Sequence, residues 1–411
     1  MAYSTDFQRT TSQKWTSLVF PYSKHTTNLS DALKVGFQIK SGSLTQGPTI
    51  AEFEKQITRY TGSKYAVAVS SATAGLHISL LSLNLPPGSE VITSPISFLS
   101  SANCALYSLL KPVFVDIDPK TKNLDIDLVE KTIQENPNIK AVIPVHYAGL
   151  PCDMERLSTF RDKYGVRIIE DAAHALGAQY LAGEKVGNSN YSDLTVFSFH
   201  PVKSITTGEG GAITTNNPEI YETLKSLRTH GIEQEPKNLK NKFLAYTENE
   251  TNPWYREMTG LGYHYRLTEI QARLGVSQFN KLDRFIKNRR ELANFYDKEL
   301  ANHDLIKPAQ LVLKKHSGHH LYPVEIAFEK ININRRDLMN KLREKGIVTQ
   351  VHYMPIPLNP YYQQLGYKVS DLINTLDYYY RAISIPLYPT LKLKNQKYIL
   401  SCINQILEKK V

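Results

Sequence analysis

Residues 193–213, DLTVFSFHPVKSITTGEGGAI, decide the fold that this sequence predicts. The segment begins as an apolar run typical of a strand, passes through a polar turn and ends in glycines. Lys203 lies in that turn, three residues after the expected strand end at about His200. At the mouth of a sheet, a partly desolvated amine can form a Schiff base with an aldehyde or ketone. Taken alone, Lys203 is more simply interpreted as a solvated lysine, so the rest of the chain must decide.

Strand-like runs alternate with helical patterns on both sides of this segment. Seven such runs are complete by residue 215: KYAVAVSS, EVITSP, PVFVDID, KAVIPVH, GVRIIED, LTVFSFH and GGAITT. Apolar strands alternating with helices predict a mostly parallel sheet with helices on both faces. We therefore predict an α/β fold with a polar N-terminal arm (1–20), a large domain built on a seven-stranded sheet (21–285) and a small α+β C-terminal domain (286–411).

The C-terminal part of the chain predicts shorter elements. A long helix from Thr268 through Leu300 is expected to connect the two domains. Beyond it we expect strands at LYPVEIAF and IVTQVHY, a helix at NRRDLMNKLREKG and a closing helix from about Lys394. These patterns indicate one compact α+β unit.

Composition narrows the function classes. With 41% hydrophobic and 21% charged residues, the chain has the composition of a soluble globular protein. Its net charge of +10 suits nucleic acid, an acidic surface or a small anionic molecule. The basic residues are scattered and not regularly interleaved with aromatics, so we expect no nucleic-acid partner and favour an anionic small substrate.

Cysteine usage and hydropathy indicate the compartment. Three cysteines, Cys104, Cys152 and Cys402, lie far apart without a CxxC pair, which favours a reducing compartment and argues against structural zinc. No run approaches ~18 apolar residues, and the first residues lack the apolar core of a signal peptide. We therefore expect a cytoplasmic protein without a membrane partner.

In open α/β sheets, ligands bind beyond the carboxyl ends of the strands. After the first run, Ser71, Ala72 and Thr73 open a helix, whose N–H groups form an anion site or a simple N-cap. After the second run, Phe98 either stacks on a flat ring or belongs to the core.

The later strand ends carry ionisable groups. Asp171 and His174 follow the fifth run, and Ser198 lies inside the sixth. Asp171 either binds a protonated ring nitrogen or caps the helix-like AAHALG segment, and His174 is expected over a ring face. Together with Lys203, these positions offer an amine, an anion cradle, a carboxylate and a stacking aromatic. Those are the demands of pyridoxal 5'-phosphate (PLP).

Four motifs carry a resemblance to a known family: SSATAG, EDAAHALG, FSFHPVKSITTGEGG and LGYHYRLTEIQARLG. They resemble the DegT/DnrJ/EryC1/StrS sugar aminotransferases from about Pro21 to about Pro389. The resemblance implies the fold type I of PLP-dependent aminotransferases. LTQGP, HHLYPVEI and VTQVHYMPIPLNPYYQQLGY are similar to the family branch of pseudaminic acid biosynthesis.

The resemblance assigns roles to matching positions. It implies that Lys203 forms the Schiff base and that Asp171 binds the pyridine nitrogen. The positions implied for the cofactor phosphate and ring are Ala72, Thr73, Ser198, Phe98 and His174. The positions implied for substrate are Tyr22, Gly42, Ser43, Leu44, Thr45, Ser71, His319, His320, Leu321 and Tyr322.

The resemblance also implies a homodimer with composite active sites. The family places a residue of its GYNYR motif on the phosphate bound by the neighbouring subunit. Here the motif reads Gly262-Tyr263-His264-Tyr265-Arg266, with His264 where the family usually has asparagine. A neutral imidazole can still donate one hydrogen bond there.

The implied reaction moves an amino group, with glutamate as donor, to C4 of a UDP-linked 4-keto-6-deoxy-N-acetylhexosamine. Alternatives are the same chemistry on a bacillosamine or legionaminic acid precursor, or a non-catalytic regulator that keeps the fold. A related dehydratase replaces the Schiff-base lysine by histidine, so Lys203 disfavours it. No metal is expected, because adjacent residues such as His319 and His320 face opposite sides of a strand.

Overall fold

The structure of the protein is a computed structural model that describes residues 19–408. The predicted N-terminal arm therefore lies outside the described residues, except for Val19 and Phe20. Phe20 is buried among the apolar side chains of the C-terminal domain and forms a β-bridge with Ile347.

All seven predicted runs form strands of one sheet. The strands are β1 Tyr65–Val69, β2 Glu90–Thr93, β3 Lys111–Phe114, β4 Ile139–Ile143, β5 Arg167–Asp171, β6 Leu194–Ser198 and β7 Gly211–Thr215. Their order is β1-β7-β6-β5-β4-β2-β3. Strand β7 runs antiparallel to β1 and β6, and the other neighbours are parallel. The predicted mostly parallel seven-stranded sheet is confirmed.

Helices cover both faces of this sheet. In chain order, the helices up to residue 300 are α1 Leu29–Ser41, α2 Pro48–Thr61, α3 Ala72–Ser82, α4 Ser100–Tyr107, α5 Ile126–Glu135, α6 Met154–Tyr164, α7 Pro218–Arg228, α8 Lys242–Ala245, α9 Glu269–Phe279 and α10 Leu282–Leu300. Alternate strand residues separate the two apolar layers, because successive side chains point to opposite faces. Ile168 packs in the layer that contains Phe53 of α2, and Ile169 packs in the layer that contains Leu76 of α3.

The segment from 232 to 258 carries only short strands. These are β8 Ile232–Glu233, β9 Tyr246–Thr247, β10 Glu250–Thr251 and β11 Glu257–Met258. They form two small ribbons outside the main sheet.

The long helix predicted from Thr268 to Leu300 is wrong in one respect, because it is two helices. Helix α9 ends at Phe279 and α10 begins at Leu282. The break lets α9 pack against α1 and α2, while α10 continues toward the C-terminal domain. Leu282 and Phe285 of α10 belong to the core of the large domain, whereas Tyr296 belongs to the core of the small one. The predicted domain boundary at 285/286 falls within α10.

The small domain is an antiparallel three-stranded sheet with helices packed on it. Its elements are β12 Ile306–Pro308, β13 Tyr322–Ile326, α11 Arg335–Glu344, α12 Pro360–Gln364, α13 Ile373–Arg381, β14 Ala382–Ile385 and α14 Leu393–Leu407. The strand predicted at IVTQVHY is wrong. This segment makes only single bridges, Phe20 to Ile347 and Gln350 to Ser384, and then turns toward the junction of the two domains.

Within residues 19–408, no helix combines the length and the apolar character that crossing a membrane requires.

Candidate active site

Gly211 brings three strand ends together at the carboxyl edge of the sheet. It pairs with Val69 at the end of β1 and with Ser198 at the end of β6. A Cβ on Gly211 would lie 2.7 Å from the backbone nitrogen of Ala72. Only glycine therefore lets the N-terminus of α3 approach the start of β7 this closely.

The N-terminus of α3 has the geometry of an anion cradle. The Ser71 hydroxyl caps the helix by accepting a hydrogen bond from the Ala74 N–H, 3.1 Å away. The first N–H groups of a helix have no acceptor within the helix, so those at Ala72 and Thr73 can bind an oxyanion. Both sequence-based readings of this segment thus coexist, since a capped helix start can also bind an anion.

Asp171 ends β5 with its carboxylate buried and held on both oxygens. Oδ2 accepts a hydrogen bond from the Ser101 hydroxyl at 2.6 Å. Oδ1 accepts one from the Ala173 N–H at 3.1 Å, which is the local bond that the capping alternative anticipates. Only 4% of the residue is exposed.

Lys203 lies in the turn after β6, where its side chain is largely withdrawn from water. Its backbone N–H donates to the His200 carbonyl at 2.9 Å. Burial lowers the pKa of the Lys203 amine to about 8, although the nearby negative charge of Asp171 acts in the opposite direction. About half of this amine is therefore neutral near pH 8, whereas a solvated lysine is almost wholly protonated there.

Three buried histidines surround this region. His174 follows β5, and its ring centroid lies 4.5 Å from that of His320. Burial, with the charge of Lys203 adding to it, lowers the pKa of His352 to about 3. Burial likewise holds the pKa of His174 and His320 well below the usual value, and Lys203 contributes to both shifts. All three imidazoles are therefore neutral at physiological pH.

The small domain closes the site through Tyr353. The Tyr353 hydroxyl lies 3.1 Å from Nε2 of His174 and so joins the two domains. Nδ1 of His174 and Nδ1 of His320 are buried and have no hydrogen-bond partner within residues 19–408. Neither Ser101 nor Tyr353 was among the residues expected from the sequence. Ser101 did carry a signal, since it is a hydroxyl in the first turn of the helix that follows the carboxyl end of β2.

Residues 319–322, which were expected to contact substrate, have different surroundings in the structure. His320 contacts His174, as described above. The His319 ring instead approaches the Lys314 carbonyl at 3.1 Å, and the Tyr322 hydroxyl donates to Asp297 at 2.6 Å. Leu321 is buried in an apolar cluster.

The other expected substrate residues lie in two places. The Tyr22 ring lies 5.0 Å from the His352 ring, next to the histidine cluster. The loop Gly42, Ser43, Leu44 and Thr45 is anchored elsewhere. Gln38 donates to the Ser43 carbonyl at 2.8 Å and the Glu269 N–H donates to the Leu44 carbonyl at 3.0 Å.

Two expected cofactor residues are open to solvent. Phe98 is 59% exposed, so it is not the core residue of the alternative reading. His264 is exposed, and its ring stacks on that of His230 at 5.4 Å. The Tyr265 carbonyl accepts from the Ser70 N–H at 2.8 Å, which places this motif beside the start of α3.

These residues fit PLP. A desolvated amine, a buried carboxylate, an anion-binding helix start and unpartnered imidazole nitrogens lie at one sheet edge. In the described part of the chain, no group of three or more His, Cys, Asp or Glu residues is arranged to hold a metal ion.

Comparisons with known proteins agree with this site. Residues 30–404 match the model of the DegT/DnrJ/EryC1/StrS aminotransferase family. The UDP-4-amino-4,6-dideoxy-N-acetyl-beta-L-altrosamine transaminase of Campylobacter jejuni serotype O:2 is 36% identical over 94% of this chain and 97% of its own length.

Two solved structures resemble the whole chain. PseC of Helicobacter pylori, an aminotransferase involved in the biosynthesis of pseudoaminic acid, matches with a TM-score of 0.85 and 32% identity, over 95% of this chain and 100% of that chain. The PLP form of Spr1654, a putative sugar aminotransferase of Streptococcus pneumoniae, matches with a TM-score of 0.83 and 28% identity, over 95% and 99%. The chain therefore belongs to the DegT/DnrJ/EryC1/StrS aminotransferase family and is a PLP-dependent sugar aminotransferase.

Proposed function

We propose that the protein transfers an amino group to C4 of a UDP-linked 4-keto-6-deoxy-N-acetylhexosamine, the reaction of pseudaminic acid biosynthesis. The observation that carries this proposal is the Lys203 amine, held partly neutral beside Asp171 and three uncharged histidines. The names of the Campylobacter and Helicobacter relatives support the choice of sugar. Glutamate is proposed as the amino donor, on the family resemblance.

The residues of this chain divide the chemical work. PLP, when bound, supplies an aldehyde that links to amines and a ring that accepts electrons from the adjacent carbon. Lys203 Nζ holds the cofactor, then removes the proton from the amino-bearing carbon of the donor and later returns a proton to the sugar C4. Asp171 accepts a hydrogen bond from the protonated pyridine nitrogen, and its charge favours that protonated state. Ala72, Thr73 and Ser198 bind the phosphate.

The neutral histidines keep further positive charge away from Lys203. A protonated imidazole beside the amine would repel its ammonium form and compete for Asp171. As neutral groups, His174 and His320 can each donate one hydrogen bond and accept another. We propose that His174 covers one face of the ring, Phe98 covers the other, and His320 and Tyr22 contact the sugar.

We further propose a homodimer in which His264 of one subunit reaches the phosphate of the other. The exposed position of His264 is compatible with a contact outside its own chain. Large apolar side chains are exposed nearby in sequence, among them Trp254 (74%) and Leu261 (77%). Exposed apolar surface of this kind is typical of a protein interface.

The decisive experiment supplies glutamate together with a panel of UDP- and dTDP-linked 4-keto sugars and identifies the aminated product. We expect the UDP-4-keto-6-deoxy-N-acetylhexosamine to be the preferred substrate, with product stereochemistry at C4 and C5 resolved by NMR. A product with the C4 and C5 stereochemistry of the bacillosamine or legionaminic acid route would overturn the proposed substrate and leave the transaminase chemistry intact.

The role of Lys203 has its own test. Borohydride reduction of the holoenzyme should attach the cofactor to the peptide that contains Lys203. Lys203→Ala should abolish turnover while the fold survives, as judged by circular dichroism. Label on another lysine, or full activity of the variant, would refute this assignment.

A further inference from the structure

Asp171 does not stand alone behind the ring position, because two buried hydroxyl groups form a chain that ends on it. Ser101 Oγ lies 2.6 Å from Asp171 Oδ2, and Ser97 Oγ lies 2.6 Å from Ser101 Oγ. Ser101 is fully buried, and Ser97 is 5% exposed. Neither the family comparison nor the sequence motifs assign a role to these serines.

The direction of the hydrogen bonds in this chain follows from counting protons. An ionised carboxylate only accepts, so the Ser101 hydroxyl donates its single proton to Asp171. The Phe98 carbonyl also lies near Ser101 Oγ, but at 3.4 Å it is the longer and uncharged competitor. Because the proton of Ser101 is thus committed, Ser97 must be the donor in the bond to Ser101.

We propose that Ser97 and Ser101 are positioning residues that orient the Asp171 carboxylate toward the cofactor ring. The bond from Ser101 and the bond from the Ala173 N–H fix the plane of the carboxylate, one on each oxygen. Both donors also stabilise its negative charge, in a site where water is excluded.

The hydrogen-bond chain from Ser97 through Ser101 to Asp171, here called the serine relay, also positions the exposed Phe98 side chain. Phe98 lies between Ser97 and Ser101 in sequence, in the turn that leads into α4. The Ser97–Ser101 bond closes this turn across four residues. The relay therefore couples the orientation of the carboxylate to the position of the side chain proposed to stack on the ring.

This inference rests on the proposed contact of Asp171 with the cofactor, so the test separates the two. PLP binding and the absorption spectrum of the bound cofactor are measured for wild type, Ser101→Ala, Ser97→Ala and Asp171→Ala. We expect Ser101→Ala to weaken PLP binding on the order of 10-fold and to shift the absorption band, with a smaller shift in the same direction for Ser97→Ala. Ser101→Thr, which keeps the hydroxyl, should restore both properties.

Ser100→Ala is the matched control. Ser100 is also buried and precedes Ser101 in α4, but the hydrogen bond to Asp171 comes from Ser101 and not from Ser100. We expect this variant to match wild type in spectrum and PLP binding.

If Asp171→Ala changes the spectrum while Ser101→Ala and Ser97→Ala do not, the relay is wrong and the role of Asp171 stands. An unchanged spectrum in Asp171→Ala would refute the contact itself. If Ser101→Ala fails to fold, the other two variants test the proposal. Ser97→Ala should still shift the absorption band, and Ser101→Thr should keep the wild-type spectrum and PLP binding.

Discussion

At the scale of single residues, the environment of Lys203 turns an ordinary side chain into a reactive one. The cause is desolvation, since burial disfavours the ammonium form more than the Asp171 charge favours it. The three histidines add to this environment by staying neutral. The reactivity of Lys203 is therefore a property of the folded site rather than of the lysine.

The first prediction concerns the pH dependence of this amine. In the proposed reaction the neutral amine of Lys203 is the nucleophile, and its pKa is lowered to about 8, so the rate at which apoenzyme takes up PLP should rise through a midpoint near pH 8. Stopped-flow absorbance measures this rate, and Lys203→Met should remove the pH-dependent phase. A midpoint near the ordinary value of 10.5 would contradict the desolvated site.

At the scale of elements, the junction of α9 and α10 is tied to α1 by one buried carboxylate. Asp31 of α1 accepts from Lys281 Nζ at 2.6 Å and from Gln278 Nε2 at 2.9 Å. Burial raises the pKa of Asp31, but the hydrogen bonds from Lys281 and the Asn28 N–H, with the charge of Lys281, outweigh it, so the net pKa lies below 3.8. The break in the predicted long helix thus coincides with a specific anchoring contact.

The second prediction follows from this contact. Asp31→Ala strands a largely buried ammonium, so we expect it to lower the free energy of unfolding by about 2–4 kcal/mol in urea titrations. A carboxylate whose pKa is lower in the folded than in the unfolded state stabilises the fold at pH values above its unfolded-state pKa. This stabilisation is lost as the pH falls through the folded-state pKa. The difference between wild type and variant should therefore be full at pH 6 and shrink below pH 3.8.

A control for this prediction is Asp377→Ala. Asp377 pairs with Arg381 at 2.9 Å, but both side chains are about half exposed. Solvent screens such pairs, so the loss should stay below about 1 kcal/mol. Equal losses in the two variants would show that burial of Asp31 is not what matters.

At the scale of the whole molecule, two segments of the large domain each carry several exposed large apolar side chains. On α1, Leu29 is 73% and Leu33 is 54% exposed, four residues apart and so on one helix face. In the segment that precedes His264, Phe243 is 90% and Leu261 is 77% exposed. We propose that these two surfaces form the interface of the dimer.

The third prediction tests the dimer and the composite site together. Leu33→Glu and Leu261→Glu place a charge in the proposed interface, so we expect monomers by light scattering and loss of activity. Leu393→Glu, at a 50% exposed position on α14 of the small domain, should leave both unchanged. A wild-type monomer with full activity would contradict the composite site.

The large-domain sheet could be predicted because each strand is a short apolar run, and the five inner strands pair on both sides. The failures came where local pattern is weak. IVTQVHY has the composition of a strand but pairs only singly, because its end turns to the domain junction. The helix break at Asn280 and Lys281 contains no glycine or proline. The apolar periodicity of the sequence therefore predicted one continuous helix across it.

The candidate site shows the same division. Lys203, Asp171 and the start of α3 were identifiable because strand ends collect at one edge in this architecture. Ser101 and Tyr353 were not identified, because their partners are 70 and 179 residues away. Likewise, all of residues 319–322 were expected to contact substrate because they are adjacent in sequence. The packing of the folded chain separates them, since His320 contacts His174 while Tyr322 donates a hydrogen bond to Asp297.

The sequence by itself determined the layered α/β architecture, the family and the lysine and aspartate proposed for the chemistry, because these depend on local hydrophobic period and on motifs of adjacent residues. The tertiary structure decided the electrostatic state of Lys203, the neutrality of the three histidines and the serine relay to Asp171. Those properties arise from burial and from contacts between distant segments, and neither exists until the chain has folded.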